Sequence, residues 1–289
     1  MVRESWFFLE NAKEVRRVIA NLLNLRVSIT NSNKTNYNSK ISLEAYSSYA
    51  GLKKPEYTIL NLIKTILPIK MMLDVGVGAG RTTESFSSIS DKYIGIDYSE
   101  NMINFCKTKF DGTANISFEL KDARNLSTYK NDTFDFVLFS HGGLDAVEHS
   151  DRIKILHEIW RVCKKGGYFC FSTSNLEAVS NYCVVRLSRS PKVLVRGIFN
   201  LLLVRLLNPE IWAYRRGKRP RLKHAMYIIG GDNWGLKTYC ISPSEQIKQL
   251  QEANFEGARI FGSSGNEIKE LINAEDLELY FLCRAIDHV

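Results

Sequence analysis

Short apolar runs alternate with amphipathic segments through the middle of the chain. A run of four to six mostly apolar residues that ends in Gly or a polar residue is typical of a buried strand, whereas apolar residues three and four apart are typical of a helix. Because parallel strands need a crossover between them, this alternation predicts βαβ units and a parallel sheet. The predicted strands are Met71–Val75, Tyr93–Asp97, Ile116–Leu120, Phe134–Phe139 and Tyr168–Ser172.

Three helices are predicted between these strands, near Thr82–Ser87, Glu100–Phe110 and Asp151–Cys163. Another helix over Tyr57–Leu67 precedes the first strand, and Pro68 ends it. Gly166-Gly167 is predicted to be the turn between the last of these helices and its strand.

Both ends of this core carry additions. An apolar pattern from Trp6 to Leu23 predicts an N-terminal helix, and the Asn- and Ser-rich run Thr30–Lys40 is predicted to be a linker. After Ser174 the alternation stops for about 60 residues, which is too long for an ordinary connection and predicts an inserted lid. It resumes with a predicted helix and two strands: Pro243–Ala253, Ala258–Phe261 and Leu279–Ala285.

Positive charge is concentrated in the predicted lid. The formal net charge is +8, and the stretch from Arg186 to Lys223 contains eleven Lys and Arg residues, these two included, against the single acid Glu210. Such a cluster suits a carboxylate or phosphate of a ligand, although a solvated basic surface explains it equally well. Six scattered cysteines show no metal-ligand spacing, so no metal site is predicted, and they are interpreted as reduced core residues of a cytoplasmic protein.

The strongest chemical signal is a glycine loop that follows the first strand, Asp74-Val75-Gly76-Val77-Gly78-Ala79-Gly80-Arg81. Glycines let the backbone turn tightly and approach a ligand, and the N-terminus of the next helix favours an anion. A dinucleotide-binding loop would need its third glycine where Arg81 stands, and Asp74 would repel a pyrophosphate. A zwitterionic amino-acid group fits better, because its ammonium would lie near Asp74.

Two further carboxylates follow the next two strands. Asp97 ends the second strand about 20 residues after the glycine loop, where folds of this type bind ribose hydroxyls. Asp122 follows the third strand, where it is predicted to accept a hydrogen bond from an adenine amino group. Each acid taken alone is more often a cap or a solvated side chain, but their order at successive strand ends favours a nucleoside site.

With these motifs, residues from about Tyr46 to Ser174 resemble the class I S-adenosylmethionine (SAM)-dependent methyltransferases. The D-V-G-V-G-A-G loop is similar to motif I of that family, G-I-D-Y-S to its ribose motif, K-D-A to its adenine motif and F-D-F-V-L-F-S-H-G-G-L-D to its motif IV. The resemblance implies an α/β fold with a Rossmann-like seven-stranded sheet whose last strand is antiparallel. The predicted organisation is an N-terminal helix and linker (1–42), a SAM-binding core (43–175), a helical lid (176–236) and the rest of the core (237–289).

The resemblance also implies the site. SAM is the expected cofactor and S-adenosylhomocysteine the product. Tyr49 resembles a residue that often covers the methionine end of the cofactor in the members that methylate small molecules. Ser140 and His141 would lie at the end of the fourth strand. The full set of predicted cofactor-binding residues is Tyr49, Asp74, Gly76, Gly78, Gly80, Asp97, Tyr98, Met102, Asp122, Ala123 and Ser140.

His141 is the predicted catalytic residue. Methyl transfer from a sulfonium is an in-line displacement that depends on positioning, and a base is needed only if the nucleophile arrives protonated. Imidazole titrates near neutrality, which suits a general base. Alternatively, His141 positions an acceptor that is a carboxylate and needs no base, or it only contacts the cofactor or packs in its loop. The predicted acceptor contacts are His141, Asp145, Trp212, Tyr214 and Arg215, with Asp145 alternatively orienting its loop.

These residues favour methylation of a small molecule or modified peptide, such as a natural product, at a hydroxyl or carboxylate oxygen. The N-P-P-Y tetrad of many enzymes that methylate amino groups is absent, since S-H-G-G stands there. Methylation of RNA through the basic segment, N-methylation of a small amine and membrane-surface contact by the apolar stretch Val193–Leu207 remain alternatives. A nicotinamide oxidoreductase and a SAM-binding protein without activity are the other classes of function considered.

Overall fold

The fold is described from a computed structural model of the 289-residue chain. The structure describes residues 29–183, 198, 201–202, 204, 206–208, 222–228, 236–270 and 276–287. The strands within these ranges are β1 (Ile69–Val75), β2 (Ser90–Asp97), β3 (Ile116–Leu120), β4 (Phe134–Phe139), β5 (Cys163–Asn175), β6 (His224–Tyr227), β7 (Thr238–Ile241), β8 (Phe255–Phe261) and β9 (Glu278–Ala285).

Seven of these strands form the sheet that the sequence predicts. β3, β2, β1, β4 and β5 lie side by side in that order and are parallel. β9 pairs with β5 in the antiparallel sense, and β8 pairs with β9 on its other side. The predicted α/β fold with a final antiparallel strand is therefore confirmed. All the carboxyl ends of β1, β2, β3 and β4 meet at one edge, where such folds bind their ligands.

Helices connect and cover the sheet. Their bounds among the described residues are α1 (Ile29–Tyr37), α2 (Lys40–Ser47), α3 (Lys54–Ile66), α4 (Thr83–Ser87), α5 (Glu100–Lys109), α6 (His149–Val162) and α7 (Pro243–Glu252). Side-chain caps fix several starts: Ser39 accepts a hydrogen bond from Ser42 N, Ser99 from Met102 N and Ser242 from Glu245 N. These caps satisfy backbone N–H groups that the first helical turn leaves unpaired.

The buried strands separate two apolar clusters, one on each face of the sheet. One cluster joins Val137 and Phe169 of the sheet to Leu156 of α6. The other joins Met72 and Leu138 to Ile59 of α3. Alternate residues of a strand point to opposite faces, so a nearly continuous apolar run such as Phe134–Phe139, all buried, serves both clusters. This double-sided core holds the strand ends rigidly in register.

The prediction that Thr30–Lys40 is a linker is wrong. Most of this run lies in α1, and α2 begins at Lys40. Asn33, only 1% exposed, donates from Nδ2 to Ala146 O at 2.8 Å and to Lys237 O at 2.9 Å, and its Oδ1 accepts from Lys237 N. These contacts with distant parts of the chain outweigh the weak helix propensity of an Asn- and Ser-rich segment.

The prediction of a turn at Gly166-Gly167 is also wrong, because β5 already begins at Cys163 and runs through both glycines. The register with β4 shifts between Phe134 and Phe136, which marks a bulge, and Gly166 has a φ of +83°. A residue with a Cβ is strained at that φ. The glycine pair therefore bends a strand instead of ending a helix.

The segment after β5 adds a hairpin that the sequence pattern did not predict. β6 pairs with β7 in the antiparallel sense, and β7 pairs in parallel with the end of β5, at Ser174 and Asn175. In the described parts of the predicted helical lid, residues 176–183 form a 3₁₀ helix, and Asn208 accepts from Ile228 N and donates to Ile228 O. The β6–β7 hairpin crosses the proposed 236/237 boundary, so the division of the chain into four parts stays a proposal.

The N-terminal apolar pattern, Trp6 to Leu23, lies outside the described residues. So does most of the basic cluster, including the stretch from Pro209 to Arg221. Within the described ranges, no helix is both long enough and apolar enough to cross a membrane.

Candidate active site

The glycine loop bends sharply away from the end of β1. Gly76, Gly78 and Gly80 have φ values of +63°, +55° and +73°, a region that disfavours residues with a Cβ. The space next to Gly78 is open, since a Cβ built there would meet no atom within 4 Å. A Cβ at Gly76 would lie 2.8 Å from the Phe139 ring. The loop therefore leaves an open face at Gly78 while its other glycines permit close packing.

Asp74 lies beneath this loop at the end of β1 and lines the pocket above it. It is 2% exposed, and its Oδ2 accepts hydrogen bonds at 2.6 Å from both Thr82 Oγ1 and Tyr93 OH. Burial raises the pKa of Asp74 to about 6, although both hydrogen bonds act in the opposite direction. Among the described residues, Oδ1 has no hydrogen-bond partner, so a ligand ammonium would satisfy it.

Asp97 lies at the end of the neighbouring strand, β2. Its Oδ2 accepts from Gly78 N at 3.0 Å and its Oδ1 from Ser99 N at 2.8 Å. This carboxylate therefore ties the glycine loop to the start of α5, and it lines the same pocket. Burial raises the pKa of Asp97 in spite of these backbone hydrogen bonds. Each oxygen retains a lone pair with which to accept from a hydroxyl group.

One pocket brings together most of the predicted cofactor-binding residues. They line it from the glycine loop, from the segment after α2, from α5 and from the ends of β1, β2, β3 and β4. The predicted residues that contribute are Tyr49, Asp74, Gly76, Gly78, Asp97, Tyr98, Met102, Ala123, Ser140 and His141. Their convergence agrees with one ligand-binding site at the carboxyl edge of the sheet. Each individual role stays a prediction.

Gly80 and Asp122 are not part of this lining. A Cβ at Gly80 would lie 2.6 Å from the Phe110 ring, so this glycine allows close packing against α5. The carboxylate of Asp122 pairs with Arg124, whose Nη2 lies 2.6 Å from Oδ2. Burial acts against ionisation of Asp122, but the hydrogen bonds from Arg124 prevail and lower its pKa. The neighbours Lys121 and Ala123 line the pocket instead.

A buried ion pair supports the pocket floor. Arg81, from the glycine loop, donates two hydrogen bonds of 2.5 Å to Glu56 of α3, one to each carboxylate oxygen. Ser140 Oγ, at the end of β4, also donates to Glu56. Burial opposes ionisation of Glu56, yet the hydrogen bonds and charge of Arg81 lower its pKa below the ordinary value. The pair joins the glycine loop, α3 and the loop after β4 into one unit.

His141 lies in the loop after β4, with a φ of +58°. Its ring makes edge contacts with Tyr46 and Tyr49 of the α2 region, each with a centroid separation of 6.0 Å. Its Nδ1 lies 2.6 Å from Lys53 Nζ, at the start of α3. Burial, followed by the charge of Lys53, lowers the pKa of His141, which keeps the imidazole neutral at pH 7. His141 therefore lines the pocket from the loop after β4, and its role in catalysis stays a prediction.

The prediction that Asp145 contacts the acceptor is corrected by its surroundings. Asp145 is 1% exposed and is absent from the pocket lining, although Gly143 and Ala146 are present. Its Oδ1 accepts from Arg152 Nη1 at 2.8 Å and from Thr173 Oγ1 at 2.6 Å. Its Oδ2 accepts from Ser174 N. This carboxylate neutralises a fully buried arginine and orients its own loop.

Sequence reasoning missed several residues at this site. Tyr37 and Tyr46 line the pocket, and neither was predicted to do so. Tyr37 lies in the run interpreted as a linker, and helical spacing of aromatic residues in 37–49 was the signal available. Lys53 carried no signal, because its partners lie 88 and 225 residues away. The predicted acceptor contacts Trp212, Tyr214 and Arg215 lie outside the described residues.

Residues 72–167 match a family described as "Methyltransferase domain". This range contains the glycine loop, Asp97 and His141, and the sheet around it has the strand order described above. Residues 72–167 therefore form a methyltransferase domain, as the sequence motifs predict.

Relatives share this domain and not the whole chain. A demethylmenaquinone methyltransferase of Leptospira interrogans is 35% identical over 104 residues, which are 34% of this chain and 40% of the relative. A ubiquinone biosynthesis O-methyltransferase of Hydrogenovibrio crunogenus is 28% identical over 108 residues, 37% of this chain and 43% of the relative. The chain thus spans about two fifths of the length of the curated relatives it matches.

A solved SAM-dependent methyltransferase from Clostridium acetobutylicum has a TM-score of 0.57 to this chain. It is 13% identical, and the match covers 81% of this chain and 92% of the other. At that identity the likeness concerns the fold alone. The likeness in fold to this solved structure therefore extends beyond the methyltransferase domain to most of the chain.

Proposed function

We propose that this chain transfers the methyl group of SAM to an oxygen of a small-molecule acceptor. The observation that supports it best is one pocket that joins an open glycine loop and two strand-end carboxylates to His141 and Tyr49. The matches to small-molecule methyltransferases support the same acceptor class. The fold alone would not assign a reaction, so the site residues must support it.

The residues at the strand ends fit SAM better than a dinucleotide. Asp74 has one carboxylate oxygen without a partner among the described residues, which suits the ammonium of an amino acid. Asp97 retains acceptor lone pairs for ribose hydroxyls. The buried carboxylate of Asp74, beneath the glycine loop, would repel a pyrophosphate, which argues against a nicotinamide oxidoreductase. When bound, SAM supplies an electrophilic methyl group on a sulfonium.

The chain's own contribution to the reaction is position and shielding from water. The Arg81–Glu56 pair fixes the loop after β4 relative to the glycine loop, so His141 is held beside the pocket. Tyr46 and Tyr49 surround the His141 ring and form an aromatic wall. Holding an acceptor in line with the methyl group supplies much of the rate in a displacement of this type.

Oxygen as the reacting atom, and a hydroxyl or carboxylate as its group, extend this proposal. A ubiquinone-biosynthesis relative is named as an O-methyltransferase, and S-H-G-G replaces the tetrad of many amino-group methyltransferases. A modified-peptide acceptor, a role in natural-product biosynthesis and a cytoplasmic location stay predictions. Methylation of a small amine is the remaining small-molecule alternative, and RNA methylation through the basic segment is the alternative from another class of acceptor.

Incubation of the protein with methyl-labelled SAM and a cell extract tests the proposal. The extract is then separated into metabolite, peptide and nucleic-acid fractions. Base treatment releases the label only from an ester, and mass spectrometry of a base-stable product distinguishes an ether from an amine. Label in an ether or ester of the metabolite or peptide fraction is expected. Label in nucleic acid or in an amine would overturn the acceptor assignment, and binding of SAM without any label would indicate a protein without methyltransferase activity.

A further inference from the structure

A three-residue polar cluster lies beside the acceptor end of the pocket. Lys53 Nζ lies 2.6 Å from His141 Nδ1 and 2.6 Å from Glu278 Oε2. The cluster draws on three elements: Lys53 precedes α3, His141 follows β4 and Glu278 begins β9. The methyltransferase motifs account for His141 alone, so the contacts of Lys53 and Glu278 with it need a separate explanation.

The surrounding backbone fixes this geometry. Glu278 Oε1 accepts from Ser172 Oγ at 2.8 Å, and Ser172 Oγ in turn accepts from Gly142 N at 2.7 Å. Lys53 N donates to Glu56 Oε2, which holds the start of α3 on the buried ion pair. Glu278 is therefore tied through Ser172 to the His141 loop, and the backbone of Lys53 is tied to α3. The ammonium of Lys53 thus lies between two groups whose positions are fixed.

The contact with Lys53 determines which nitrogen of His141 carries the proton. An ammonium has three donors and no acceptor, so Nδ1 must accept from Lys53 Nζ. A neutral imidazole then carries its proton on Nε2. Among the described residues, no hydrogen bond reaches Nε2, whereas the His141 ring lines the pocket. The nitrogen that remains for a ligand is thus a donor.

A hydrogen-bond donor at Nε2 of His141 determines which groups of an acceptor molecule can bind there. A neutral imidazole protonated at Nε2 cannot take a second proton there, so it does not act as a general base through that nitrogen. It can donate a hydrogen bond to an oxygen that has a free lone pair. The adjacent charge of Lys53 further favours an oxygen that bears negative charge, such as a phenolate or carboxylate.

We propose that Lys53 is a positioning residue that fixes the Nε2–H tautomer of His141, and that Nε2–H binds an oxygen of the methyl acceptor. This subsite rests on the proposed function and specifies its acceptor as one that arrives ionised or with an accepting oxygen. It assigns His141 to positioning, one of the roles that the sequence left open. Glu278 keeps Lys53 in place as a donor.

Nitrogen-15 NMR of protein labelled in histidine tests the tautomer directly, because protonated and unprotonated ring nitrogens give distinct signals. The His141 signals are identified by their loss in His141→Gln. The wild-type protein is expected to show protonated Nε2 and unprotonated Nδ1 at neutral pH. In Lys53→Met the preference is expected to weaken to that of a free imidazole, with a measurable fraction of Nδ1–H, and the pKa of His141 should rise because an adjacent cation is gone.

Two variants control this experiment. Lys164 also lies 2.6 Å from an acid, Asp135, but Asp135 caps the opposite end of the sheet through Lys70 N and Met71 N. Lys164→Met should leave the His141 spectrum unchanged. Lys53→Arg retains a cationic donor without an acceptor and should preserve the Nε2–H tautomer. If Lys53→Met does not fold, the comparison of wild type with Lys53→Arg and Glu278→Gln replaces it, and Glu278→Gln should weaken the preference.

A wild-type spectrum with the proton on Nδ1, or a tautomer that Lys53→Met leaves unchanged, would overturn the subsite. The pH titration must include the charged groups that face His141, which are Lys53, Glu278, Arg81 and Glu56. Calorimetric titration with S-adenosylhomocysteine separates this test from the proposed function. Absence of binding would contradict the proposed function while the tautomer result stands.

Discussion

The two ends of the pocket are constructed in different ways. At the cofactor end, Asp74, Gly78 and Asp97 lie within 24 consecutive residues, at the ends of adjacent strands. At the acceptor end, Lys53, His141 and Glu278 come together from positions 88 and 225 residues apart. The first end is a product of local sequence, and the second exists only after the sheet has formed.

This difference explains how far sequence reasoning reaches. The strand-end acids could be predicted because a parallel sheet places the ends of neighbouring strands together whatever lies beyond them. The contact of Lys53 with His141 could not, since it depends on the packing of α3 against β9. A cofactor site can therefore be similar among many relatives while the acceptor site differs.

The Arg81–Glu56 pair connects the two ends, so breaking it should have the largest effect. Glu56→Gln leaves a mostly buried guanidinium without its countercharge, which costs about 3 to 5 kcal/mol of unfolding free energy. Urea denaturation measures the loss. Glu44→Gln, at an exposed position of α2, is the matched control and should change stability by less than about 0.5 kcal/mol. Equal stability of the two variants would contradict the connecting role.

The cofactor end can be tested by Asp97→Ala. The change removes acceptors for Gly78 N and Ser99 N, together with the proposed ribose contacts. A hydrogen bond to a charged group contributes about 1.5 to 3 kcal/mol, so SAM affinity should fall by about ten- to a hundredfold. Calorimetry measures the affinity. The control variant Asp91→Ala, at an exposed position of the same strand, should bind SAM as the wild type does. Unchanged SAM affinity in Asp97→Ala would contradict the proposed contact between Asp97 and the ribose.

The pH dependence of SAM binding sharpens the role of Asp74. Its pKa is raised to about 6, and an ammonium partner favours the ionised form, so binding requires loss of that proton. Affinity should therefore be constant above about pH 7 and fall by up to tenfold for each pH unit below about 6. Calorimetry across this range measures it. In Asp74→Asn the dependence should disappear, and a wild-type affinity that is flat from pH 5 to 7 would contradict the pairing.

The smallest predicted effect comes from the acceptor end. The folded-state pKa of His141 lies below its ordinary value of 6.5, so the unfolded chain binds the proton more readily. The contribution of His141 to stability is therefore complete above pH 6.5 and declines as the pH falls below it. The decline is small because the ring is partly exposed. Urea denaturation at pH 5 and 7.5 should show a slightly smaller pH effect in His141→Gln, and an unchanged or larger one would contradict the shift.

Particular elements show why some predictions were right and others wrong. β3 and β4 have the predicted bounds because their apolar runs are short and end in polar residues or glycine-containing loops. α1 was missed because its helical state depends on Asn33 bonding to Ala146 O and Lys237 O, partners that no local pattern reveals. The bulge at Gly166 was mistaken for a turn because a glycine pair permits either. His141 was located by its motif, but its tautomer depends on Lys53.

We propose above all that the carboxyl edge of the sheet binds SAM through Asp74 and Asp97. The most direct measurement is calorimetric titration of the wild-type protein with SAM and, separately, with NAD. We expect binding of one SAM per chain and no measurable binding of NAD. Binding of NAD in place of SAM would contradict this assignment and would favour a nicotinamide oxidoreductase instead.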